Sequence, residues 1–317
     1  MNSFNLSNDT IAVSDSGSTK GLEYYDLSIR WGHGMPQWPS SPKGIQITTH
    51  QFHALNGCQV LEWQGIQHRG THMDAPIHVL ENTPSLDDFE PWRFFGTGVV
   101  VSIPKGKWGV VTPEDLANAE PKIEEGDIVI INTGSHKNLG DNDDYYQYSP
   151  GLYKEGAEWL VEKKIKLLGI DVQALDHPLG TKLVDHGPGP THHHLFDEYK
   201  KETGRDVMDD FPHWEPSHKA LLAAGIPGIE NIGGDVDKIT GKRCTFMAYP
   251  WRWPGGDGCG ILAAGSGGDG TKKRKAPTRC RLPHTCADSR WVGNRHRSRH
   301  RKRRAFGVNF EHGPFGL

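Results

Sequence analysis

The chain has 317 residues, with 36 Lys+Arg against 39 Asp+Glu and a formal net charge of −3. That length allows one large domain or two, but an apolar content of 35% is low for a globular chain, so part of it is expected to lie outside any core. No apolar run approaches the roughly 20 residues of a membrane span, and five cysteines scattered from Cys58 to Cys286 are too few for a disulfide framework.

The first stretch, Met1–Lys20, is rich in Ser, Asn and Asp and lacks the basic-then-apolar pattern of a signal peptide. It reads as a floppy leader on a cytoplasmic protein. The next informative segment is His68-Arg69-Gly70-Thr71-His72-Met73-Asp74-Ala75-Pro76-Ile77-His78. It places three imidazoles and a carboxylate, at His68, His72, Asp74 and His78, even numbers of residues apart. Even offsets share one face of an extended strand. A helix would turn Asp74 away from His68 and His72, and Gly70 and Pro76 are poor in helix interiors. The pattern predicts a strand or extended loop that aims four polar groups into one pocket. Imidazole nitrogen and carboxylate oxygen are what zinc or manganese accepts, and a catalytic site keeps a position open for water whose pKa falls from about 15.7 towards about 7. A further His beside the metal can shuttle protons. Ordinary surface or hydrogen-bonded core histidines are the alternative, and four in-phase groups weigh against it.

Beyond the motif the chain reads as mixed α/β. Gly98–Ile103, Ile128–Ile131, Ile165–Ile170 and Thr245–Tyr249 are strand-like, and Pro113–Ala119 and Gly156–Lys164 helix-like. Pro216-Ser217 can open a helix that Ala220–Ala224 continues and Gly225 with Pro227 ends, after which Pro227–Ile232 reads as a short strand. The His-, Gly- and Pro-dense segment from Asp176 to His194 is a loop that lines or caps a pocket, an adventitious metal-binding tract, or simply solvated. Trp38, Trp63, Trp92, Phe94 and Phe95 could stack an aromatic substrate, although at least half are expected in the core. Tyr249–Pro254 could form a pocket wall or a subunit contact. The last segment breaks with the rest: residues 260–317 carry 14 Lys+Arg against 3 Asp+Glu, whereas the residues before them carry 22 against 36. A basic tail of this kind can bind nucleic acid or an anionic surface.

The segment His68–His78 resembles the His-x-Gly-Thr-His-x-Asp-x-Pro-x-His signature of the cyclase-like metal-dependent hydrolases, a family that includes bacterial kynurenine formamidase and isatin hydrolase. Tyr25–Ser28 with Gly34-Met35-Pro36 and Trp38-Pro39 resembles the family's opening, and Gly126–Gly134 and Leu168–Asp171 resemble two of its strands. The likeness runs from about Leu22 to Cys259. It implies the swivelling β/β/α fold, an α/β arrangement with a mostly β core flanked by helices. It also implies a second ligand pair, a His on a helix and a Glu on the next strand twelve residues later, met here by His218 and Glu230. Alone, His218 would read as a helix-surface residue; Glu230 lies between Ile229 and Ile232 in the short strand, where a buried carboxylate needs a partner such as a metal, with an exposed strand position as the alternative.

By this resemblance His68, His72 and Asp74 bind the first metal, Asp74 bridges to a second held by His218 and Glu230, and His78 is the proton shuttle. One or two ions of zinc or manganese are expected. The implied activity is hydrolysis of an aryl formamide such as N-formylkynurenine, in tryptophan catabolism, by metal-bound hydroxide. Alternatives are isatin hydrolase-like opening of a lactam, or a non-enzymatic metal- or nucleic-acid-binding protein. The expected partners are a small aromatic amide or lactam and further copies of the chain in a dimer or tetramer, with neither membrane nor nucleic acid. Three regions follow: a leader at 1–20, the hydrolase domain at 21–259, and a basic, disordered tail at 260–317. The family continues past Cys259 into a final apolar strand that the sequence does not show, which suggests a shifted reading frame after about Cys259.

Overall fold

The computed structural model describes residues 23–39, 44–181 and 194–267. Thirteen strands lie among them: β1 (Glu23–Asp26), β2 (Gln46–Gln51), β3 (Val60–Gln64), β4 (His72–Asp74), β5 (Phe95–Ser102), β6 (Val110–Val111), β7 (Ile128–Asn132), β8 (Gly151–Leu152), β9 (Leu167–Ile170), β10 (Gly228–Glu230), β11 (Arg243–Tyr249), β12 (Gly258–Gly260) and β13 (Leu262–Gly267). Nine of them make one mixed sheet in the order β1-β13-β11-β5-β7-β9-β10-β4-β12. Strands β5, β7, β9 and β10 run parallel, and the outer ones are antiparallel. This is the expected α/β architecture, a mostly β core flanked by helices.

The central strands carry unbroken apolar runs because a parallel sheet is covered on both faces. Val99, Val101, Val129, Ile131, Leu168 and Ile170 face one cluster, closed by Ala157 and Leu160 of the helix Lys154–Glu162 and by Leu221 of the helix Pro216–Ala223. Their in-between neighbours Val100, Ile128, Ile130 and Leu167 face the other, against Ile229, Ile239 and Phe246. The expected helix from Pro113 runs over Pro113–Asn118, fixed at its start by a capping box between Thr112 and Asp115. No helix among the described residues is long and apolar enough to cross a membrane.

Two features depart from the sequence reading. The expected boundary at Cys259 falls inside the sheet: Gly258–Gly260 and Leu262–Gly267 are strands, and the latter pairs with both β1 and β11. The final strand escapes an apolar search because its three buried residues are the small Ala263, Ala264 and Gly265, and the neighbours want it small. A Cβ on Gly265 would meet Ile239 Cδ1 at 2.9 Å. The remainder of the basic segment and the leader Met1–Lys20 lie outside the described residues. The second departure is an unforeseen hairpin of β2 and β3, which forms its own sheet and exposes Phe52, Leu55 and Leu61.

Candidate metal centre

The motif does not form one strand. Gly70 adopts a left-handed conformation (φ +57°) that favours glycine, only His72–Asp74 is extended, and Pro76–His78 is a single turn of 3-10 helix. The even spacing therefore puts only His72 and Asp74 in phase by strand geometry, while the turns on either side carry His68 and His78 back towards them. Strand β4 is gripped between β10 and β12. Its register sets Glu230 directly opposite His72, and glycines 228 and 258 opposite Asp74. Opposed residues on one face are the closest cross-strand neighbours. Gly258 is required for space, since a Cβ there would lie 2.4 Å from His68 Cε1.

The result is a cluster of imidazoles and carboxylates in contact. His72 Nε2 lies 3.4 Å from Asp74 Oδ1 and 3.2 Å from Glu230 Oε2. His218 Nε2 lies 3.5 Å from Asp74 Oδ2 and 3.1 Å from Glu230 Oε1. His68 reaches Asp74 Oδ1 through Nδ1 at 2.8 Å and Asp257 Oδ2 through Nε2 at 3.0 Å. Its ring stacks on His78 with centroids 3.9 Å apart. Ligating atoms of His72, Asp74 and Glu230 fall within 4.8 Å of one another, as do those of His68, Asp74 and His78. Asp74 belongs to both groups, and the His72 ring meets that of His68 edge-on, with centroids 5.2 Å apart.

These residues fit a divalent cation. His72 Nε2 and Asp74 Oδ2 are buried and have no hydrogen-bond partner among the described residues. The Nδ1 atoms of both inner histidines are anchored elsewhere, on the Gly70 carbonyl at 2.9 Å and on Asp176 Oδ2 at 2.7 Å. That fixes the tautomer that presents Nε2, as metal-binding histidines require. Ligand atoms at about 2.1 Å from a tetrahedral ion stand about 3.4 Å apart, close to the spacings here.

The electrostatics follow from the packing. Burial alone would lower the pKa of His72, but the carboxylates of Asp74 and Glu230 outweigh it and hold it well above the ordinary value. At His218 burial is likewise outweighed, by Asp176, Asp74 and Glu230. Desolvation would raise Asp74, yet His72, His68 and His218 hold it well below the usual carboxylate range. His78 behaves oppositely. It exposes an edge to the cleft, but desolvation against the surrounding protein, with His68 and His218 nearby, pushes its pKa down to about 4.

His68, His78, His218 and Glu230 line a cleft of about 410 Å³ whose apolar walls include Trp38, Ile77, Leu80 and Trp214, while His72 and Asp74 are buried. Of the five aromatic residues considered above, Trp38 lines the cleft and only Phe94 is fully in the core. Trp92 and Phe95 are exposed, and Trp63 packs edge-on to Trp31, 5.0 Å away, and near Trp251. That corrects the expectation that at least half would be core: in the 3-10 turn Pro91–Phe94 the Phe94 ring turns inward and Trp92 outward, and Phe95 opens β5 exposed. Trp251 brings Tyr249–Pro254 beside Trp63 rather than into the cleft.

Several residues that shape the site were not read from the sequence as functional. Asp176 accepts from the amides of Ser217 and His218 as well as from the His218 ring. It belongs to a segment read as a loop of open role, yet residues 176–181 are buried and His177 stacks on Phe211 with centroids 4.2 Å apart. Residues 182–193 of that loop lie outside the described ones. Asn231 donates to the Gly70 carbonyl at 2.9 Å and joins the two ligand strands. Asp257 holds His68. None of these carries a local periodicity; each is defined by a partner 42 to 189 residues away in sequence.

Residues 25–177, just under half of the chain, match the family model described as putative cyclase. It is 29% identical to cyclase-like protein 1 of Arabidopsis thaliana over 161 residues, which span 48% of this chain and 62% of that protein, less than two thirds of its length. It is 28% identical over 177 residues to a kynurenine formamidase of Bacillus cereus, covering 56% of this chain and 78% of the relative. Isatin hydrolase A from Ralstonia solanacearum shares the fold at a TM-score of 0.61 and 19% identity, over 78% of this chain and 93% of that one.

Proposed function

We propose that the chain is a metal-dependent hydrolase that cleaves the C–N bond of a small aromatic amide, with an aryl formamide such as N-formylkynurenine as substrate and a role in tryptophan breakdown. The observation that carries this reading is the contact of buried His72 and Asp74 with His218 and Glu230, which line an apolar-walled cleft together with His78. The formamide is supported by the similarity to enzymes named kynurenine formamidase, and a lactam comes second through the shared fold with isatin hydrolase.

His68, His72, Asp74, His218 and Glu230 would hold the cation, with Asp74 placed to serve two ions. Zinc or manganese held there supplies Lewis acidity and a water of lowered pKa. The chain's own residues do the rest. Trp38 and Trp214 hold a flat substrate body against the cleft wall. His78 is neutral at pH 7 because its pKa lies near 4, so it is free to take the proton that the attacking water loses. When the C–N bond breaks, His78 returns that proton to the departing nitrogen, giving an amine and a carboxylic acid that loses its remaining proton to water. Further copies of the chain, in a dimer or tetramer, suit the exposed apolar hairpin at Phe52, Leu55 and Leu61. A reducing, cytoplasmic setting suits the free thiols of Cys58, Cys244 and Cys259.

The test is hydrolysis of N-formylkynurenine and isatin by purified protein, after chelation and after adding back zinc or manganese, beside a His78→Ala variant. Turnover that returns with metal and is lost in a variant that still binds metal is the expected result. Bound metal without turnover of either compound would refute the substrate assignment, and light scattering that shows a monomer would refute the oligomer.

A further inference from the structure

Gln173 stands on a stretch of backbone that ties the halves of the centre together. The Val172 carbonyl accepts from the Asn231 amide at 2.9 Å, and the Leu175 amide donates to Glu230 Oε1 at 2.8 Å. Asp176, the next residue, holds His218. Residues 171–176 are all buried, so the Gln173 side chain leaves a fixed platform. It is 4% exposed, lines the same cleft as His78, His218 and Glu230, and its Oε1 has no hydrogen-bond partner among the described residues. A buried acceptor left unpaired is destabilising, and one carried by a residue that lines a ligand cleft is explained by a donor that arrives with the ligand. Beside it, Glu215 adds a second oxygen-bearing side chain to the wall, from a left-handed backbone position (φ +45°) that a non-glycine residue rarely holds. Glu81 also lines the cleft, and Trp38, Ile66, Ile77, Val79, Leu80 and Trp214 are its apolar lining.

We infer that Gln173 is a specificity-determining residue: its Oε1 accepts a hydrogen bond from a substrate N–H, so the cleft selects flat secondary amides and lactams over their N-alkylated counterparts. The inference deepens the hydrolase reading and rests on it for the substrate's carbonyl, but its test is binding, which needs no turnover.

Calorimetric titration of the zinc-loaded full chain with 2-oxindole and with N-methyl-2-oxindole measures the selectivity. Wild type is expected to bind the N–H compound about tenfold more tightly or better, the range expected when a buried acceptor goes unpaired. Gln173→Leu should bring the ratio close to one, and Gln173→Glu, which keeps an acceptor in place, should restore it. A wild-type ratio near one, no binding of either compound, or a ratio that survives in the leucine variant because the methyl group is excluded by shape would each overturn the assignment. Formanilide hydrolysis, followed in parallel, separates the two claims. N–H selectivity without hydrolysis leaves Gln173 standing and sinks the hydrolase, while hydrolysis without selectivity does the reverse.

Discussion

Replacing Asp176 by asparagine perturbs the centre without touching a residue that would bind the metal. The carboxylate accepts three hydrogen bonds, from Ser217 N at 2.7 Å to Oδ1, and from His218 N at 2.9 Å and Nδ1 at 2.7 Å to Oδ2. It is 1% exposed, so water cannot stand in for a lost partner. Asparagine has nearly the same shape but a single acceptor oxygen. If its amino group turns towards His218, it meets two donors; if it turns towards Ser217, it meets one, and that is the cheaper arrangement. Leaving one buried amide unpaired costs about 1–3 kcal/mol. The His218 ring also exchanges a charged partner for a neutral one, which lowers its basicity as a ligand. Changes of this kind next to a metal-binding histidine lower metal affinity about 10- to 100-fold. Competition titration of zinc against a chelator, alongside urea denaturation of the metal-free protein, reads both effects. A variant that loses 1–3 kcal/mol of stability but binds zinc within about threefold of wild type would refute the reasoning, since Asp176 would then support only the fold.

Three further outcomes are expected. Gly258→Ala would drive a Cβ to within 2.4 Å of His68 Cε1, displacing a ring whose two nitrogens are held by Asp74 and Asp257; turnover should fall about 100-fold, the effect of a misplacement near 1 Å, with the far-ultraviolet spectrum unchanged, and wild-type turnover would contradict the placement of His68. His177 is buried, and desolvation lowers its pKa to about 4, so the folded state binds fewer protons than the unfolded chain between the ordinary value of 6.5 and about 4. Its contribution is therefore present above pH 6.5 and is lost as pH falls towards 4, by about 3 kcal/mol in all; urea midpoints at pH 7.5 and 5 should converge less steeply for His177→Phe than for wild type, and parallel slopes would contradict this. Zinc at about a thousand times its Kd should stabilise the chain by about 4 kcal/mol, a rise of about 10 °C in Tm; a Tm indifferent to zinc and chelator alike would argue against a preformed centre.

The sequence shows the parts of this molecule that are written locally. The apolar runs at Val99–Val101, Ile128–Ile131 and Leu167–Ile170 announce central strands because burial on both faces removes alternation. The helix from Pro113 is announced by its Thr112–Asp115 capping box. The candidate ligands His72 and Asp74 are legible for the same reason, two residues apart in a strand. What brings His68 and His78 to them is not strand phase but the left-handed turn at Gly70 and the 3-10 turn at Pro76, which a spacing argument passes over. The strand Leu262–Gly267 is hidden because its position between two strands and beside Ile239 demands small residues, so it lacks an apolar signature. Asp176, Asn231, Asp257 and Gln173 were illegible as site residues because their meaning lies in partners brought close only by the completed sheet.

The claim on which the rest depends is that His72, Asp74, His218 and Glu230 form a metal centre. Metal content of the chelated, zinc- or manganese-reconstituted full chain, measured by elemental analysis after gel filtration beside His72→Ala and Glu230→Ala, tests it most directly. Wild type is expected to retain one or two equivalents, and each variant to lose at least one with the fold intact. Wild type that retains no metal, or variants that retain as much as wild type, would contradict it.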